Sequence, residues 1–229
     1  MPRVDRLCFL LKKAMDGVGT AESVLIAIIA NEPKYIVDKL IPRYDEMFNK
    51  SLEAHLDAEL SGDFKKAVMQ WMFGEAIGEE PPVDRITPLD DDVMEYFRKR
   101  DVLHKCVYFI GMLDATKLRK ATKGIGTDEI KLTDVIVSQT RDGIKRLDEQ
   151  FVFRYDMTLI GLVRDECSGD YCKFLVAIIR DEGYSIAELF RSCIKGWGTS
   201  ESLLSELMCT STNEQTLNHY TCYIIEPLL

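Results

Sequence analysis

An all-α fold is predicted by three observations. Apolar residues recur at helical spacing along most of the 229 residues, and no stretch shows the period-two alternation of a half-buried strand. The string Gly-Xaa-Gly-Thr occurs three times, at Gly17-Val18-Gly19-Thr20, Gly124-Ile125-Gly126-Thr127 and Gly196-Trp197-Gly198-Thr199. Laid on each other without a gap at an offset of 107, the first two copies pair Ile29 with Ile136, Tyr44 with Phe151, Glu59 with Glu166, Gly62 with Gly169, Phe64 with Tyr171 and Val68 with Leu175. An internal repeat of helices, rather than a single irregular bundle, is the expectation.

The elements follow from local chemistry. Each Gly-Xaa-Gly-Thr reads as a helix stop, a tight loop and a new start, with Gly supplying unusual backbone angles and the Thr hydroxyl serving as N-cap. Glu22, Glu129 and Glu201 then fall in a first helical turn, where the helix dipole favours an acid. A second helix is predicted over Ser23 to Ala30, Ile130 to Val137 and Ser202 to Cys209. A third spans Tyr35 to Tyr44 and Gly143 to Phe151, and a fourth Leu52 to Ala58 and Thr158 to Asp165. A fifth begins after Ser61-Gly62 and Ser168-Gly169, giving five short helices per repeat.

Spacing sets the domain expectation: a repeat over 1–73, an insert over 74–108, a second repeat over 109–182 and an incomplete third over 183–229. Pro81-Pro82 and Pro88 break the insert, and Asp90 would cap an extra helix through Val93, Tyr96, Phe97 and Leu103. The chain stops at Leu229, before the third copy reaches an acid, so Leu203, Leu204, Leu207 and Tyr223 are expected to be partly uncovered.

Composition narrows the function. With 38 acidic against 29 basic residues, a formal charge of -9 opposes unaided binding to nucleic acid or anionic lipid. Any acidic partner would need a bridging cation. No window approaches a membrane span and the start lacks the apolar core of a signal peptide, which predicts a cytosolic chain. Seven cysteines without a Cys-x-x-Cys pair fit reduced, mostly buried thiols, and Cys167 and Cys172 have no nearby His to complete a zinc site. His55, His104 and His219 share no Asp or Cys spacing, and no nucleophile elbow, phosphate loop or zinc helix motif is present. No enzyme activity is expected.

The loops carry the chemistry. Carbonyls turned outward at the end of a helix, plus one bidentate carboxylate, give about five hard oxygen donors, where Ca²⁺ takes roughly 6 to 8. The first copy would use Met15, Gly17 and Gly19 with Glu59, and the second Thr122, Gly124 and Gly126 with Glu166. In both, the acid follows the Thr by 39 residues. One carboxylate leaves the ion positive and its shell open to a phosphate oxygen. The apolar tip residues Val18, Ile125 and Trp197 are placed to enter the acyl boundary beside a bridged headgroup. The plainer alternatives are that Glu59 and Glu166 are solvated helix-end acids and that Trp197 packs on its own repeat.

Two segments make the pattern specific: Lys13-Ala14-Met15-Asp16-Gly17-Val18-Gly19-Thr20 with Leu56-Asp57-Ala58-Glu59-Leu60-Ser61-Gly62-Asp63-Phe64, and Lys120-Ala121-Thr122-Lys123-Gly124-Ile125-Gly126-Thr127-Asp128-Glu129 with Asp165-Glu166-Cys167-Ser168-Gly169-Asp170-Tyr171. So paired, the chain resembles the annexins. The resemblance implies a right-handed superhelical array of five-helix repeats. It also implies Ca²⁺-dependent, reversible docking on acidic phospholipid such as phosphatidylserine, at the cytosolic face of the plasma membrane or vesicles. A helical structural module, with cytoskeletal or self-association partners and little calcium binding, is the competing expectation.

Overall fold

The computed structural model describes residues 2–16, 19–74, 114–123, 126–180, 183–194 and 201–210. Every regular element among them is an α-helix. The first copy contributes α1 (Arg3–Met15), α2 (Glu22–Asn31), α3 (Lys34–Phe48), α4 (Leu52–Glu59) and α5 (Gly62–Phe73). The second contributes α6 (residues 114–121), α7 (Glu129–Val137), α8 (Arg141–Tyr155), α9 (Leu159–Glu166) and α10 (Gly169–Ile179). The third copy supplies α11 (Tyr184–Ile194) and α12 (Glu201–Thr210). The extra helix expected in the insert, and Tyr223, lie outside the described residues.

Backbone geometry repeats at the offset read from the sequence. Left-handed φ values recur at Gly19 and Gly126 (+89° and +90°), at Asn49 and Asp156 (+49° and +52°), and at Gly62 and Gly169 (+61° and +64°). The Asn49 and Asp156 pair explains one difference from expectation. The third helix runs a turn past Tyr44 and Phe151, ending at Phe48 and Tyr155, because its terminator is an Asn or Asp in the left-handed region rather than a glycine. The Ser51 and Thr158 hydroxyls then cap the fourth helix, accepting from Ala54 N and Gly161 N. A carboxylate of the third helix adds a second acceptor there, Asp45 for Leu52 N (2.8 Å) and Asp148 for Leu159 N (2.6 Å).

Contacts divide the chain into two compact units, Met1–Gly74 with Ser168–Leu229, and Glu75–Cys167. In the first unit α2 is the central element. Eight successive residues, Val24 to Asn31, are buried, so the helix is apolar on all sides and needs neighbours on all sides. It packs against α1, α10 and α11, while α5 packs on α10 and α12 on both α1 and α11. Phe64 and Phe174 meet edge to face across α5 and α10, with centroids 5.8 Å apart. Leu207, expected to be partly uncovered, is only 1% exposed, because α12 lies on α1; Leu203 and Leu204 are half-buried. In the second unit, Leu132, Ile136, Leu147, Phe151, Leu162 and Val163 form the interior, and Arg154 and Gln139 reach back to Thr116 and Asp114 of α6.

The C-terminal end of α2 is held by polar groups that the hydrophobic pattern did not reveal. Trp71 Nε1 donates to Ile29 O (3.1 Å), and the Asn31 amide oxygen accepts from Gly183 N. Arg3 pairs with Glu32 at 2.6 Å, where Glu32 is 1% exposed, and its Nε donates to Thr210 O at the end of α12. One guanidinium thus ties the start of α1 to the ends of two other helices.

Thiol burial is less complete than expected. Among the described residues, Cys8 and Cys193 are buried, Cys167 and Cys172 are half-buried, and Cys209 on α12 is exposed; Cys106 and Cys222 lie outside them. His55 is a core residue: its Nδ1 and the buried Tyr44 hydroxyl lie 2.7 Å apart. The equivalent positions of the second copy are Phe151 and Leu162, which fill the same space without a hydrogen bond.

Two stability predictions follow from these polar contacts. Arg3→Ala removes a guanidinium held at 2.6 Å from a buried carboxylate and should cost about 3 kcal/mol in urea unfolding, with Arg3→Ala/Glu32→Leu recovering part of the loss. For His55, burial favours the neutral ring and, with help from Lys50, outweighs the nearby Glu59 and Asp16, so its pKa lies below the ordinary 6.5. The unfolded chain therefore takes up that proton first as pH falls. Its contribution to stability is complete above about pH 6.5, declines below it, and levels off once the folded ring is protonated. Tyr44→Phe or His55→Leu alone strands a buried partner and should cost about 1–3 kcal/mol. The double variant, which recreates the Phe151 and Leu162 pair, should cost less than the sum and flatten the loss between pH 7 and 5.5; an unchanged pH slope contradicts this account of His55.

Candidate functional site

Two loops at equivalent places are built the same way. α1 ends at Met15, where Asp16 N still bonds to Lys12 O (2.8 Å). After the loop, Ala21 N bonds back to Ala14 O (2.8 Å); in the second copy Asp128 N bonds to Ala121 O (2.9 Å). This bond pins both ends of a six-residue excursion. Gly19 and Gly126 turn the chain just before the pin, and a Cβ at either would meet nothing within 4 Å, so the positive φ rather than crowding calls for glycine there.

Glu59 and Glu166, the last residues of α4 and α9, are brought to these loops. Thr20 Oγ1 donates to Glu59 Oε2 at 3.1 Å, and Thr127 Oγ1 to Glu166 Oε2 at 2.6 Å. The reading of these hydroxyls as N-caps is therefore corrected. The N-cap positions are Ala21, without a side-chain cap, and Asp128, which accepts from Lys131 N. The pinning bond moves the helix start one residue on, and the hydroxyl turns to the carboxylate instead. The signal was present in the sequence as the constant separation of 39 residues between Thr and Glu.

Of the predicted donors, Met15 and Gly19 flank the first loop and Thr122 and Gly126 the second, and Glu59 and Glu166 reach these loops through Thr20 and Thr127. Met15 and Thr122 are buried, the Thr122 hydroxyl donating to Leu118 O, so a backbone carbonyl is the ligand either would offer. Gly17, Gly124 and the tips Val18, Ile125 and Trp197 lie outside the described residues. Among the described residues, no group of three or more His, Cys, Asp or Glu side chains could hold a metal. An ion here would rest on one carboxylate and backbone oxygens, a donor set suited to a hard cation.

The loops differ in charge. Asp16, in the first, is paired with Lys12 (2.5 Å), which holds its carboxyl below the usual range. The second loop has the exposed Lys123 in that place. No helix among the described residues is long and apolar enough to cross a membrane.

Comparison with known proteins agrees with this architecture. Annexin A6 of Rattus norvegicus is 26% identical over 210 residues, covering 90% of this chain and 31% of that protein. Annexin A13 of Homo sapiens is 26% identical over 234 residues, covering 97% and 63%. The solved structure of annexin III superposes with a TM-score of 0.79 at 25% identity, over 97% of this chain and 63% of that one. Calcium-bound annexin (Sm)1 shares the fold, with a TM-score of 0.75 at 22% identity over 97% and 62%. The chain thus spans less than two thirds of the length of each. The family model for annexin matches residues 8–71 and 113–178, more than half of the sequence and both complete copies of the loop and its acid: the chain belongs to the annexin family.

Proposed function

We propose that this chain binds acidic phospholipid membranes reversibly, through Ca²⁺ held at the two Gly-Xaa-Gly-Thr loops. The observation that carries the reading is the twofold recurrence of one arrangement: a pinned loop with glycine at φ near +90° and a threonine hydroxyl bonded to a glutamate 39 residues away. The first site would use the carbonyls of Met15, Gly17 and Gly19 with Glu59, and the second those of Thr122, Gly124 and Gly126 with Glu166. Calcium bound there would supply positive charge and open positions for phosphate oxygens.

The chain's own residues do the rest. The glycines let the loop backbone approach a surface closely, and the carboxylates hold the ion without neutralising it. Val18, Ile125 and Trp197 would add apolar contact at the acyl boundary. A chain of net charge -9 then needs the ion to approach an anionic surface at all, which makes binding conditional on calcium. By this reading the protein is a peripheral binder on the cytosolic face, without a catalytic role, and the repeats at 1–73 and 109–182 each contribute one membrane contact.

Two measurements test the reading. The chain should pellet with phosphatidylserine vesicles as Ca²⁺ is raised, be released by chelator, and fail to pellet with Glu59→Gln/Glu166→Gln; calcium-independent pelleting, or none, favours a helical interaction module instead. Asp16→Lys gives the first loop the charge of the second. At saturating Ca²⁺ it should lower the half-maximal vesicle concentration several-fold near 0.1 M salt, with the gain fading at high salt, since each added cation near an anionic surface is worth about 1 kcal/mol.

A further inference from the structure

Resting on the calcium reading above, we propose that Thr20 and Thr127 are positioning residues, whose hydroxyls hold the glutamate of each site in the orientation that receives the ion. The two halves of a site sit on different elements: loop carbonyls on one side, the last residue of α4 or α9 on the other. A glutamate at an exposed helix end has three free torsions, and nothing in its own helix fixes where its carboxylate points. The hydroxyl bond supplies that restraint, at 3.1 Å to Glu59 and 2.6 Å to Glu166.

Threonine suits the task because its own position is fixed. Its χ1 is stiff through β-branching. Its backbone is held between the left-handed glycine before it and the pinning bond after it, Ala21 N to Ala14 O or Asp128 N to Ala121 O. The restraint does not compete with the ion, since a carboxylate oxygen has two lone pairs and can accept the hydroxyl while facing a cation. Helix capping does not require these hydroxyls, because the N-caps are the following residues. The contact therefore acts as an outer-shell bond, a kind whose removal typically weakens metal affinity about 10- to 100-fold. The second copy, with the shorter bond and the less exposed glutamate, should depend on it more than the first.

The test is calcium titration of the full chain by calorimetry, one site at a time. In the Glu59→Gln background, Thr127→Val keeps the shape of the side chain and removes the hydroxyl; it should weaken the second site about 10-fold or more, while Thr127→Ser stays close to the parent. In the Glu166→Gln background, Thr20→Val should weaken the first site by less. Thermal unfolding in chelator separates positioning from structure: equal midpoints with weaker calcium support the proposal. Should Thr127→Val unfold early, the Ser variant decides, and a Ser variant as weak as Val overturns the role of the hydroxyl. Unchanged affinity in Thr127→Val overturns the proposal while leaving the calcium sites intact; a parent chain that takes up no calcium overturns both.

Discussion

The burial of α2 on every side is the constraint from which the rest of the first unit follows. A helix with one apolar stripe can lie on a surface, but Val24 to Asn31 has no face that tolerates water. Each fully buried Leu or Ile contributes roughly 1.5–3 kcal/mol, so leaving any side open would be costly. α1, α10 and α11 must therefore surround it. The polar cluster at its end, Arg3, Glu32, Asn31 and Trp71, then fixes how far α1, α5 and the start of α11 slide along it, a choice that nonspecific apolar contact leaves open. Because α1 and α2 flank the first loop, this packing also sets the span that the loop must bridge.

What the two complete copies share is geometry rather than interior chemistry. The left-handed positions, the pinning bond and the Thr–Glu contact coincide at one offset. The supporting contacts do not. A hydrogen-bonded Tyr44 and His55 stand where Phe151 and Leu162 make only apolar contact. The carboxylate that accepts from the start of the fourth helix comes from different turns, Asp45 in one copy and Asp148 in the other. Alternative solutions of equal volume and satisfied polarity serve the same backbone.

Much of this was legible in the sequence. Helical periodicity and three Gly-Xaa-Gly-Thr strings point to the class and the repeat, and the ungapped offset pairs Ile29, Phe64 and Val68 with counterparts that are buried as they are. The candidate site was legible because one carboxylate recurs at one distance from one loop. Three things escaped. The third helix outruns its periodic stretch by a turn because Asn49 and Asp156 enter the left-handed region that glycine usually fills. The Thr hydroxyls pass over the nearest helix start, where the local rule of capping puts them, for a partner 39 residues away. The Arg3 and Glu32 pair and the His55 bond depend on three-dimensional proximity between polar residues, which periodicity does not encode.

Splitting each candidate site between a loop and an acid at the end of the third helix after it has a thermodynamic consequence. The donors come together only while the second, third and fourth helices of that copy are all folded. A ligand that requires all the donors therefore binds the folded repeat and not its partly opened forms, and its binding free energy adds to the cooperativity of that repeat. Occupancy and local folding become a single equilibrium, so that slowed amide exchange across α2 to α4, or α7 to α9, would report the ion as directly as any probe at the loop.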